Sequence, residues 1–191
     1  MAAYTVLIVG WVIYFFLHSW LATERVKKWN SRWVSSRTYR LLYNAFATVG
    51  LLMMLWINSS IPATIFFASE GYVRFFSLLM VTLGVLLIRA HFRASPASEF
   101  LGLAATGPAQ LRVDGILRHI RHPLYAGIIL ITTGFFFFIP KLPVLITCSC
   151  ILLYLPIGIW LEEQKLLQQF GDTFRQYRKT VPALLPWPRK N

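Results

Sequence analysis

Five near-continuous apolar stretches alternate with charged segments along this chain, over about 4–22, 40–58, 73–90, 124–139 and 142–161. A helix crossing a hydrocarbon core needs roughly 17–25 residues, and the pattern predicts five such helices. The fourth and fifth are short arms, separated only by "PKLP", where two prolines break the helix and force a tight hairpin. After residue 162, Leu166, Leu167, Phe170, Phe174 and Tyr177 recur on one face of a helix with polar residues opposite, before "VPALLP" ends it. This last helix is expected along the membrane surface or against the loop at 91–123, whose glycines and prolines argue against continuous helix.

Composition agrees with the pattern. The chain has 191 residues, 57% hydrophobic and 14% charged, with mean hydropathy +0.57, too apolar for a soluble domain of this size. The expected fold is an all-α integral membrane protein with about five transmembrane helices, in one domain over 1–191. Its opening "MAAYTVLIVGWVIYFFLHSW" has no basic n-region and no small-residue cleavage site, and is expected as a retained span.

The net charge of +12 adds orientation. Of the 19 Lys and Arg, six fall in 23–40, five in 89–122 and six beyond 162, leaving only Arg74 and Lys141 in the other connections. Positive residues prefer the cytoplasmic side, so the N-terminus is expected outside and the C-terminus inside. This alternation leaves no basic face for nucleic acid, and no nucleic-acid partner is expected. Oligomeric state is not readable.

Two polar clusters flank the short hairpin. "RHIRHPLYAG" at 118–127 sets Arg118, His119, Arg121 and His122 beside Pro123, which suits the first turn of the fourth span. Free N–H groups and the helix dipole there attract an anion, but arginines and Tyr125 equally suit a membrane rim. "WLEEQKLLQQFG" at 160–171 carries Glu162 and Glu163, two of only seven acidic residues. They read either as the acidic start of a surface helix or as partners for a cationic ligand or for an arginine of the first cluster. Both clusters fall on one face of the membrane, so they can meet, offering donors to a carboxylate and acceptors to an ammonium. His18 in the first span suits a hydrogen bond between helices. His119 and His122 lack a third ligand, and Cys148 and Cys150 lie inside an apolar run, so neither a metal site nor a disulfide is expected.

"LRVDGILRHIRHPLYAG" and "EEQKLLQQFGDTFRQYRKTVPALLP", in this order across an apolar hairpin, resemble the C-terminal half of the isoprenylcysteine carboxyl methyltransferase family and its phospholipid methyltransferase relatives, over roughly 110–186. The resemblance implies a multi-pass membrane enzyme using S-adenosylmethionine, with S-adenosylhomocysteine as product. Its cofactor region maps to about 102–127 and 158–186. Carried over by position, Gln110, Leu111, Arg112 and Leu117 line the cofactor loop, followed by His119, His122, Pro123, Leu124 and Tyr125. Glu162 falls on a cofactor-contacting glutamate, with Glu163 as the adjacent alternative. The implied acceptor is lipophilic, foremost a prenylated cysteine carboxylate, approached from membrane lipid. One departure stands out: where prenylcysteine enzymes carry an arginine four residues before the first glutamate, this chain has Gly158.

Methyl transfer to a carboxylate needs alignment rather than a base, the acceptor being ionised already. Transfer to a lipid amine needs a proton acceptor, for which His122 and Glu163 are the candidates. An NADPH-dependent reductase of the sterol reductase type, whose C-terminal region is distantly similar, and a non-enzymatic scaffold are the remaining alternatives.

Overall fold

The structure is a computed structural model that describes residues 1–95 and 110–186. Among the described residues its helices are α1 (Ala2–Leu21), α2 (Glu24–Asn30), α3 (Ser36–Ser60), α4 (Gly71–Ala94), α5 (Pro123–Phe138) and α6 (Leu142–Thr180), with a 3-10 turn at Gly115–Arg118. Four of them, α1, α3, α4 and α6, are long and apolar enough to cross a membrane, while α5 has 16 residues. At 1.5 Å per residue α5 reaches only about 24 Å, against a hydrocarbon core of about 30 Å. The expected all-α integral membrane fold is present, with the short fourth arm. Large apolar side chains such as Val12, Phe16, Leu52 and Leu86 are exposed, as lipid-facing residues must be.

The ends of the elements follow local chemistry. Ser35 caps α3, its hydroxyl accepting from the Thr38 N–H at 3.2 Å. The left-handed φ of 51° at Gly71 opens α4. Pro123 is the first residue of α5, where its missing N–H costs nothing.

The largest departure from the sequence pattern lies in α6. A membrane span ending near 161 and a separate surface helix were expected; the helix runs on without a boundary through the two glutamates. Its interruption comes at Gly171, with φ 51° and ψ −122°. Periodicity cannot separate one long helix from two in register, because neither hydrogen bonding nor side-chain spacing changes at the junction.

The chain divides into two compact units. The first comprises Met1–Ala68 and Ile139–Ile151 among the described residues. Leu7, Trp11 and Met54 form its buried centre. The Trp11 indole N–H donates to Thr147 Oγ1 at 3.1 Å, and the Thr147 hydroxyl donates to Asn58 Oδ1 at 3.0 Å, a buried polar chain joining three helices. His18 meets the Tyr43 hydroxyl, 3.1 Å from Nε2, so it is a helix-bridging histidine.

The second unit contains the described residues of 69–96, 107–138 and 152–191. Here α4 and α5 run antiparallel along a seam of small residues. A Cβ at Gly84 would lie 2.6 Å from the Gly127 carbonyl oxygen, and one at Gly134 would lie 2.7 Å from that of Ser77. The two contacts are seven residues apart on each helix, which is two turns. The seam brings the end of α4 beside the residues that precede α5.

Candidate functional site

The site is built where α5 begins. Its approach, residues 121–122, is paired by backbone with the segment after α6: Arg121 N–H donates to Pro182 O and His122 N–H to Ala183 O, both at 2.9 Å. The Arg121 guanidinium reaches further, donating through Nη1 to the Arg178 carbonyl at 2.8 Å and to that of Val181, and through Nη2 to Glu163 Oε1 at 2.9 Å. It satisfies the carbonyls left over at a helix end and pairs with a carboxylate in the same helix.

Glu163 is the centre of this cluster. His122 Nε2 lies 3.0 Å from the same Oε1, and Arg178 Nε lies 3.2 Å from Oε2. Arg178 is fifteen positions beyond Glu163, or about 22 Å along a straight helix at 1.5 Å per residue. The break at Gly171 makes the contact possible by turning the last helical segment back. Buried Phe174 and Val181 anchor the returning segment, and the Tyr177 hydroxyl donates to Leu117 O at 2.7 Å.

The cluster's electrostatics follow. Burial pushes the Glu163 carboxyl up, but hydrogen bonds from His122 and Arg121, with the charges of Arg121 and Arg178, outweigh it and hold the group below the usual glutamate value. An ionised carboxylate only accepts, so His122 Nε2 carries the proton and donates. Burial pushes the Tyr177 phenol up to about 12, against an opposing pull from Arg121, and it remains a donor.

Glu162 differs from its neighbour. About 100° around the helix, its side chain is 45% exposed, and Oε2 stands 3.8 Å from His122 Nδ1, beyond hydrogen-bond length. Its oxygens accept no hydrogen bond among the described residues. Tyr125 completes this face, its ring edge-on to His122 at 5.6 Å between centroids. A Cβ at Gly158 would fall 3.2 Å from Tyr125 Cε1 and 3.4 Å from its hydroxyl, so the tyrosine occupies the space where a side chain at 158 would start.

The other sequence candidates scatter. Arg112 Nη1 donates to Ala94 O at 3.2 Å, tying the loop to the end of α4, with Leu111 half-buried and Gln110 exposed. Leu117, Pro123 and Leu124 are apolar packing, the first two buried. His119 is exposed, outside the cluster, and Arg118 pairs at 3.6 Å with Asp114 on the surface. Of the readings the sequence leaves open for the two clusters, Glu163 and Arg121 make the pairing of a glutamate with an arginine of the first cluster, and both oxygens of Glu163 carry partners. Residues 102–109 of the expected cofactor region lie outside the described residues. Sequence reasoning missed Arg178, whose partner lies across a helix break.

Fold and site together define an all-α integral membrane protein with a Glu-centred ion cluster joining its last two helices. The chain belongs to the NnrU protein family, whose model matches residues 6–186. It is 29% identical over 185 residues to methanethiol S-methyltransferase 1 of Bradyrhizobium diazoefficiens, covering 90% of this chain and 63% of that protein. It is 27% identical over 187 residues to methanethiol S-methyltransferase of Crocosphaera subtropica, covering 89% of this chain and 69% of that protein. The resemblance read from the motifs is borne out by a shorter match, 34% over 77 residues, to protein-S-isoprenylcysteine O-methyltransferase of Schizosaccharomyces pombe, covering 40% of this chain and 33% of that one. No solved structure matches the chain significantly.

Proposed function

We propose that this protein is a membrane methyltransferase that uses S-adenosylmethionine and methylates a small thiol. The observation that carries the thiol is the extent of similarity: the methanethiol enzymes align with 89–90% of this chain, the isoprenylcysteine enzyme with 40%. Gly158 packed under Tyr125 supports the same choice, since no cationic side chain stands at that position to hold an acceptor carboxylate.

The side chains suit the donor. Glu162, half-exposed and without a hydrogen-bond donor among the described residues, is available to the ammonium or ribose hydroxyls of the cofactor, while Tyr125 and His122 Nδ1 supply an aromatic face and a polar atom beside it. The bound cofactor supplies an electrophilic methyl group on a sulfonium. Glu163, Arg121 and Arg178 hold His122 and the C-terminal segment in place.

A second reading, methylation of a prenylated cysteine carboxylate entering from the bilayer, rests on the match to the Schizosaccharomyces enzyme. Purified protein in nanodiscs, given radiolabelled S-adenosylmethionine with methanethiol, a farnesylcysteine and a phosphatidylethanolamine, separates these readings. Label in methanethiol is the expected result. Calorimetry with S-adenosylhomocysteine and NADPH accompanies it: binding of NADPH alone would make the protein a reductase, and binding of neither a scaffold.

A further inference from the structure

His91 lies in the last turn of α4, within the second unit, and nothing in the cluster around Glu163 uses it. Three observations meet there. Its Nδ1 is fully shielded from solvent and has no hydrogen-bond partner among the described residues. Such a group is costly to bury and calls for an explanation. Second, His91 continues the small-residue seam: Ser77, Gly84 and His91 follow one another at steps of seven, so the helix face that packs on Gly134 and Gly127 brings His91 toward the residues just before α5. Accordingly, His91 lies on the side of α4 that meets the His122 end of α5. Third, Arg112 is bonded to Ala94 O one turn further along α4, so the candidate cofactor loop passes the same helix end.

A thiol acceptor poses a requirement that a carboxylate does not. The thiolate is the nucleophile, and an alkyl thiol is largely protonated near neutral pH, so its proton must go to a base. The described groups nearby are otherwise engaged. Glu163 is engaged by Arg121, Arg178 and His122, Tyr177 is a donor, and His122 spends Nε2–H on Glu163 while its Nδ1 faces Glu162.

We propose that His91 is a catalytic residue whose Nδ1 accepts the proton of the acceptor thiol. The S–H bond breaks and its proton moves to Nδ1. The sulfur lone pair forms the new S–CH3 bond as the methyl–sulfonium bond breaks, and that bond's electron pair stays on the departing sulfur as a neutral thioether. The imidazolium returns its proton to water when product leaves. This rests on the thiol methyltransferase reading above.

The test compares the parent with His91→Ala and His91→Asn. Expected is a 10²–10⁴-fold loss of transfer to ethanethiol in both variants. The loss should shrink to a few-fold with thiophenol, an acidic thiol already ionised, and added imidazole should restore part of the ethanethiol rate to His91→Ala. Affinity for S-adenosylhomocysteine, measured by calorimetry, should stay within threefold of the parent. An equal loss with both thiols, or lost cofactor affinity in both variants, overturns the proposal by making His91 structural. Variants as active as the parent on ethanethiol overturn it while leaving the methyltransferase reading intact; a parent that transfers methyl to no thiol sinks both.

Discussion

His122 Nε2 stands 3.0 Å from Oε1 of Glu163, forty-one positions further along the chain. The bond links the residue before α5 to the middle of α6, and Arg121 shares the same oxygen at 2.9 Å. One buried carboxylate thus holds the start of one helix, the centre of another and, through Arg178, the returning end of that helix.

Removing that carboxylate leaves the largely buried Arg121 guanidinium uncompensated. Glu163→Ala should destabilise the protein by about 3–5 kcal/mol, and Glu163→Gln, which keeps an acceptor oxygen, by less. Thermal unfolding in detergent, followed by circular dichroism, measures both. Equal melting temperatures for the parent and Glu163→Ala would contradict the central role of this residue.

The same group gives stability an acid limb. Glu163 lies beyond the apolar stretch of α6, and its carboxyl is held below the ordinary glutamate value in the folded state. In the unfolded chain it protonates first as pH falls, so its stabilisation is complete above the ordinary value and is lost as pH drops through the lowered one. Unfolding followed from pH 7 to about pH 3 should show this loss, and Glu163→Gln should flatten it.

Glu162 predicts the opposite separation of effects. Glu162→Ala should leave the melting temperature within a degree or two and weaken S-adenosylhomocysteine binding by about 1–3 kcal/mol, the value of a hydrogen bond to a charged group. Isothermal calorimetry on the variant reads it directly, and unchanged affinity would move the cofactor contact elsewhere.

Close backbone approach between α4 and α5 makes Gly127 intolerant of a side chain. A Cβ there would fall 2.7 Å from the Gly84 carbonyl oxygen and from Ile88 Cγ1. Gly127→Leu should cost at least about 1–3 kcal/mol, visible as a lower melting temperature. Gly71→Ala is a control of another kind: it meets no neighbour, so its cost is backbone strain from the φ of 51° alone.

Orientation is open to chemical labelling. With the Lys/Arg-rich segments inside, a cysteine at Thr64 should react with an impermeant maleimide added to intact cells, and one at Ser31 only after permeabilisation. Both positions are exposed in the structure. The reverse pattern would invert the topology.

Much of this protein is legible in its sequence, because a helix crossing lipid must satisfy its backbone internally and show apolar side chains outward. Those two demands write the helices, the proline break at 140–143 and the charged ends directly into the chain, and the spacing of "RHP" and "EE" about a short hairpin marks the site. Tertiary structure alone decided which glutamate is buried: Glu162 and Glu163 are chemically identical neighbours, and only helix rotation points one at Arg121 and His122. It also decided that Arg121 serves the protein's own carbonyls and carboxylate, that Gly171 folds Arg178 back, and that His91 keeps a buried nitrogen without a partner among the described residues. These depend on residues brought together from distant parts of the chain, and no local period or propensity records which side chains will meet.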